Sequence, residues 1–316
     1  MSTPADRNPA SWATERERSN LWILRVMRWI AVFAGRPIAR LVLHPITLYF
    51  LVMNGKARRE SRRYLTRALG RDSTIVDTYG HIHCFAATIL DRVYFLQERH
   101  DQFDVRSSGA EPVHELLARG AGVLFAGAHL GSFEALRSSA HWSGARVAVL
   151  MYEDNARLIN ATLAAVAPKA QLHTIALGRA GAMLTLRRWL DDGGMAGMLA
   201  DRTLPGHSDR SRTVTLEFLG RPAHFSDGPF RLAAMLRRPL YFMAGLYDGG
   251  KRYELRFVPL ADFSPDAPTD GLDTDQRVRV ALERYVAQLG ALCVEWPMNW
   301  FNFYDFWAEA DDAATQ

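Results

Sequence analysis

Apolar and polar positions along this chain switch repeatedly between the period of a strand and that of a helix. Gly122-Val123-Leu124-Phe125-Ala126 is a short, wholly apolar run, the pattern of a buried strand. Gly127 and Gly131 follow it and permit a sharp turn. Ser132 is then a candidate N-cap for a helix from Phe133 to Trp142. The alternation continues: Arg146–Tyr152 reads as a strand and "NARLINATLAAVAP" as a helix stopped by Pro168. "LHTIAL" is a strand, and "AGAMLTLRRWLDDGG" is an amphipathic helix ending at Gly193-Gly194. Met195–Arg202 is a strand with a polar end. This order predicts an α/β fold with a mostly parallel, right-handed central sheet flanked by helices.

Further along, Val214–Phe218 reads as a strand and Gly220-Arg221-Pro222 as a turn. Ser226 is placed to cap a helix with Gly228-Pro229 in its first turn. Two strands meet at the hairpin signal Asp248-Gly249-Gly250, and a helix runs from Thr274 to Val294. The last stretch, "EWPMNWFNFYDFW", holds three tryptophans, three phenylalanines and a tyrosine. Upstream, residues 74–97 read as a long, mostly buried helix, with Ser73 the better cap candidate and Thr74 the other.

Charge divides the chain. The 316 residues carry a net +4, but residues 1–71 hold 14 Lys and Arg against 4 Asp and Glu, which leaves the remainder at −6. The basic residues lie beside or within two apolar runs, Leu21–Arg36 and Pro37–Met53, and then in the basic run Lys56–Arg67, where Glu60 is the one acid. Neither apolar run reaches the roughly 20 apolar residues of a spanning helix. The pattern predicts helices lying in a membrane interface with arginines on anionic headgroups. Residues 1–71 are therefore expected to be a helical membrane-interface extension, and 72–316 an α/β catalytic domain. A cleavable signal fits poorly with the polar first 18 residues. A soluble basic hairpin is the plainer alternative. Nucleic-acid binding is disfavoured because apolar residues dominate between the arginines.

Cys84 and Cys293 make no zinc pattern and no disulfide framework, which points to a reducing compartment. His81, His83 and Cys84 do not read as a metal site, because helix positions two apart diverge. The chemistry is sought instead in "LFAGAHLGSFEALR". With His129 on the turn and Glu134 in the first helical turn, the carboxylate can hold one imidazole nitrogen and leave the other as a general base. Asp201 and Arg202 fall at the carboxyl end of another strand, on the same predicted sheet edge, where α/β proteins bind ligands. No Ser, Cys or Lys stands in a clear nucleophile motif.

In order, the basic apolar N-terminus, the strand leading to His129-x4-Glu134, the strand ending Asp201-Arg202, "FLGRPAHFSDGPFRLA" and "RRPLYF" resemble the bacterial lipid A late acyltransferases of the lysophospholipid acyltransferase superfamily. The resemblance covers nearly the whole chain. The aromatic C-terminus departs from it and is more similar to a side branch that acylates other lipids or polyene pigment precursors. The resemblance implies transfer of a fatty acyl group from an acyl carrier protein or coenzyme A thioester to a membrane-borne hydroxyl or amine, with no bound cofactor or metal. The basic charge and short apolar runs of residues 1–71 predict attachment to the cytoplasmic face of the bacterial inner membrane, not passage through it. His129 and Glu134 are the expected catalytic dyad. Arg202, Asp201, backbone N–H groups near Gly131 and, more weakly, Arg221 are the expected substrate contacts. The same dyad acting on water would make a thioesterase or esterase, and a catalytically inactive membrane scaffold is the third reading.

Overall fold

The computed structural model describes residues 35–137, 146–152, 173–202 and 213–307. Its strands are β1 (Asp104–Ser108), β2 (Val123–Gly131), β3 (Val147–Tyr152), β4 (His173–Leu177), β5 (Met195–Leu199), β6 (Thr213–Phe218), β7 (Arg221–Ser226), β8 (Pro239–Tyr247) and β9 (Arg252–Asp262). Seven of them form one sheet in the order β1-β9-β8-β2-β5-β3-β4, and β6 pairs with β7 alone. Neighbours in the large sheet are parallel except β8 and β9, the hairpin at Asp248-Gly249-Gly250. This is the expected α/β architecture. The helix expected over "NARLINATLAAVAP" and the first apolar run, Leu21 to Ala34, lie outside the described residues.

Alternation along β2 builds two cores. Leu124, Ala126, Ala128 and Leu130 face one layer with Leu282, Tyr285 and Leu289 of helix Thr274–Glu295. Val123 and Phe125 face the other, with Leu90, Val93 and Tyr94 of helix Ile75–Leu96. Period-2 side-chain placement makes this inevitable once both faces of a parallel strand are covered.

Two local expectations shift. The cap of helix Ile75–Leu96 is Thr74, which makes a reciprocal capping box with Asp77. Ser73 is buried instead and donates its hydroxyl to the Arg62 carbonyl. The turn between β6 and β7 is Leu219-Gly220, both with positive φ (50° and 77°), and Arg221 and Pro222 already belong to β7. A two-residue hairpin loop with positive φ at both positions matches the twist of its strands, so the turn closes one residue early.

Helix Gly35–Met53 has 19 residues and is long and apolar enough to cross a membrane by length and composition. It exceeds the sequence-based expectation because it continues from Gly35 through Pro37 without a break. Ala39, Leu43, Thr47 and Leu51 form its buried stripe, whereas Ile38, Leu41, Leu48, Tyr49, Val52 and Met53 are exposed. Its first turns are tied to the body. Arg36 makes a bidentate pair with buried Asp91 at 2.8 Å, and Arg40 donates to Tyr247 Oη and to the Gly250 carbonyl. The basic helix Gly55–Leu69 turns Tyr64, Leu65 and Ala68 into the core and keeps Lys56, Arg59, Arg62 and Arg63 exposed.

Candidate active site

The carboxyl ends of β2 and β5 carry the chemistry. In their parallel register Gly127 lies beside Leu199, so the chain positions two residues further on are His129 and Asp201. His129 belongs to the tail of β2 rather than to a turn, inside the stretch from Gly127 to Gly131 where the register with β8 shifts. The turn comes at Gly131, with φ 70°, where a Cβ would strike the Gly245 carbonyl oxygen of β8. Only glycine fits that approach. Ser132 then caps the expected helix, its Oγ accepting from Ala135 N at 3.2 Å.

The carboxylate that holds the imidazole is Asp201. His129 Nδ1 lies 2.9 Å from Asp201 Oδ1, and the His129 backbone N–H donates to Oδ2 at 2.9 Å. Indole Nε1 of Trp300 donates to the same Oδ2 at 3.0 Å. Burial pushes the Asp201 carboxyl up. The His129 charge, its two hydrogen bonds and nearby Arg202 outweigh that and leave it below its ordinary value. An ionised carboxylate only accepts, so Nδ1 carries the imidazole proton and Nε2 presents a lone pair. Nε2 has no hydrogen-bond partner among the described residues, and the His129 side chain is 30% exposed.

Glu134, expected as the partner of His129, is instead bound to Arg92 Nε at 2.5 Å. The reason is geometric: Glu134 stands on the helix beyond the Gly131 turn, while β5 runs directly beside β2. Asp201, expected as a substrate contact, is 1% exposed and its oxygens are occupied, which makes it the partner of the imidazole. The Gly131 amide, expected near an oxyanion, is already given to the Asn299 carbonyl at 2.8 Å. The Ser132 amide is likewise given to the Gly245 carbonyl at 2.7 Å. Arg202 is exposed beside the pair. It donates through Nη2 to the Phe301 carbonyl at 3.2 Å and lies over the Tyr304 ring at 5.3 Å. Arg221 starts β7, in the separate two-stranded sheet.

The aromatic C-terminus, noticed in the sequence without a role, forms one wall of the site. Phe301 N donates to the His129 carbonyl at 2.8 Å, and Leu130 and Trp300 form an antiparallel bridge. Asn299 closes both backbone groups of Tyr247 in β8, at 2.7 and 3.1 Å. His81 supports Trp300 from behind. Its Nε2 donates to the Trp300 carbonyl at 2.9 Å, so its Nδ1 must accept from Ser61 Oγ, at 2.8 Å. Burial lowers the His81 pKa to about 4 and keeps it neutral. His83 diverges from it and stacks on His44 at 4.7 Å. Both cysteines are free and buried, and burial pushes the Cys84 thiol up to about 12, far from thiolate chemistry.

A narrow apolar pocket of about 40 Å³ lies against the sheet face that carries Phe125, far smaller than a typical ligand pocket. Val113, Leu117, Phe125, Phe133, Leu136 and Met243 line it. Phe125 is four residues before His129 on β2, roughly 13 Å along a strand. Phe133 and Leu136 belong to the helix that also carries Glu134.

Fold and site together define a class: an α/β protein with a carboxylate–imidazole pair at the carboxyl edge of adjacent parallel strands. The family model described as "Bacterial lipid A biosynthesis acyltransferase" matches residues 11–291, and the chain belongs to that family. Membership makes it an acyltransferase of lipid A-like substrates, and the apolar helix Gly35–Met53 is consistent with association with a membrane. No curated protein matches the chain at a significant level.

Proposed function

We propose that the protein moves a fatty acyl group from an acyl thioester, carried by acyl carrier protein or coenzyme A, to a hydroxyl or amine of a membrane lipid or glycolipid. The observation that carries this reading is the Asp201-held imidazole of His129 with its Nε2 open. Nε2 takes the acceptor proton as the acceptor oxygen or nitrogen attacks the thioester carbon. The C–S bond then breaks, and the proton passes to the departing thiolate. Asp201 stabilises the imidazolium between these steps, and general-base assistance of this kind contributes about 10²–10⁴-fold. No acyl-enzyme is required, in keeping with two buried thiols. Arg202, exposed beside the pair, is assigned to the developing oxyanion or to a phosphate of either substrate. Glu134 is anchored by Arg92.

The exposed apolar face of helix Gly35–Met53 and the arginines of helix Gly55–Leu69 support a monotopic position on an anionic membrane. An acyl thioester donor made in the cytoplasm supports a place at the cytoplasmic face of the inner membrane. Incubation with labelled acyl thioester, with and without membrane lipid extract, tests the reading. Label in lipid that depends on the extract and is lost in His129→Ala is expected. Free fatty acid alone, at equal rate without extract, would make the protein a hydrolase.

A further inference from the structure

The family match ends at residue 291, yet the segment Trp296–Trp307 beyond it hydrogen-bonds to both residues of the acid–imidazole pair, at the Asp201 carboxylate and the His129 carbonyl. We infer that this segment is part of the catalytic apparatus and that Trp300 is a positioning residue for the Asp201–His129 pair. The inference rests on the proposed role of His129 as base.

Three observations converge. First, Asp201 Oδ2 receives two N–H groups, one from the His129 backbone and one from the Trp300 indole, while Oδ1 is left to His129 Nδ1. Oδ2 is thus pinned from two directions, which fixes the carboxylate plane and aims Oδ1 at the imidazole. Without the indole, the remaining hydrogen bonds to the carboxylate among the described residues come from His129 itself, so no independent group fixes its plane.

Second, Trp300 is itself immobile. It is fully buried and packed edge-on against Tyr64 at 5.0 Å, Phe218 at 5.3 Å and Phe306 at 5.0 Å. Its carbonyl accepts from His81, which is anchored in turn by Ser61. Third, the next residue reaches the other half of the pair, since Phe301 N–H donates to the His129 carbonyl. Consecutive residues therefore hold the acid and the base, so the distance between the two depends on one rigid piece of backbone. Among the described residues the indole N–H has no other acceptor, and a phenyl ring would fill most of the space without supplying it.

The test uses the full-length protein and transfer of labelled acyl groups to lipid extract. Trp300→Phe is expected to lower kcat roughly ten- to hundredfold, the value of one hydrogen bond to a charged group, with KM for the thioester unchanged. A structural loss alone lowers the amount of folded enzyme without this split, so rates are normalised to folded protein from thermal melts. The deciding measurement is the double variant. In an Asp201→Asn background, Trp300→Phe should cost less than threefold, because the aim it maintains no longer matters. Should Trp300→Phe fold poorly, 3-benzothienylalanine at position 300 keeps the shape of indole and removes only the N–H, and the same loss is expected.

Wild-type kcat in either single variant, or equal losses in the wild-type and Asp201→Asn backgrounds, overturns the inference. An active His129→Ala enzyme would overturn the proposed base itself. An inactive His129→Ala with a fully active position-300 variant would overturn the role of Trp300 alone.

Discussion

Asp201→Asn isolates the carboxylate with almost no change of volume. Asp201 accepts three hydrogen bonds, from His129 Nδ1, the His129 amide and the Trp300 indole. Asparagine offers one oxygen and one NH2. With the NH2 toward Oδ2, it meets two N–H groups that cannot be turned into acceptors. With the NH2 toward Oδ1, it meets only Nδ1, which relieves the clash by passing its proton to Nε2. The second orientation is therefore the stable one, and it leaves the fold intact. It also leaves Nε2 protonated and unable to act as a base. The equivalent tautomer error in a Ser-His-Asp enzyme costs about 10⁴-fold. We expect kcat to fall about 10³–10⁴-fold here, some 4–5.5 kcal/mol of barrier, with KM nearly constant. Initial rates of labelled acyl transfer, compared with thermal melts of the same preparations, measure it. A folded Asn variant within tenfold of wild type would refute the assignment of Asp201 as the group that sets the tautomer.

Three further outcomes follow from the same geometry. His81 is neutral in the folded protein with its pKa near 4, against about 6.5 unfolded, so the unfolded chain binds the extra proton between those values. The resulting stability is complete above pH 6.5 and is lost as pH falls toward 4. His81→Gln should flatten that limb by up to about 1.4 kcal/mol per pH unit in denaturant titrations, and an unchanged slope would dismiss the buried neutral imidazole. Glu134→Ala should lower transfer by about tenfold, far less than Asp201→Asn, because Glu134 is bound to Arg92 and not to His129; equal losses in initial-rate assays would restore Glu134 as the partner of the base. Replacing Leu41, Leu48, Tyr49, Val52 and Met53 by Ser should weaken sedimentation with neutral and anionic vesicles alike, whereas high salt on the wild type should release little protein; undiminished pelleting of the quintuple variant would remove helix Gly35–Met53 as the membrane contact.

Strands β2 to β6, β8 and β9 were legible in the sequence because each is a local pattern, whereas β1 and β7 were not read from it. Gly122–Ala126 is apolar at every position, Ser132 caps a helix through its own hydroxyl, and Asp248-Gly249-Gly250 closes a hairpin between neighbours in sequence. His129 and Asp201 were both placed at the carboxyl edge by the same local reading. What joined them was not local. That β5 lies directly beside β2, in a register that sets Gly127 against Leu199, is decided by how the whole sheet assembles across a separation of 72 residues. A carboxylate five residues from the histidine was therefore the nearer candidate in sequence, and one on the adjacent strand proved nearer in space. The same holds for the aromatic C-terminus. Its aromatic composition was plain in the sequence, but a tryptophan indole is a hydrogen-bond donor wherever it is buried. Only the packed structure, with Tyr64, Phe218 and Phe306 closed around the ring, determines that its N–H ends on the oxygen of Asp201.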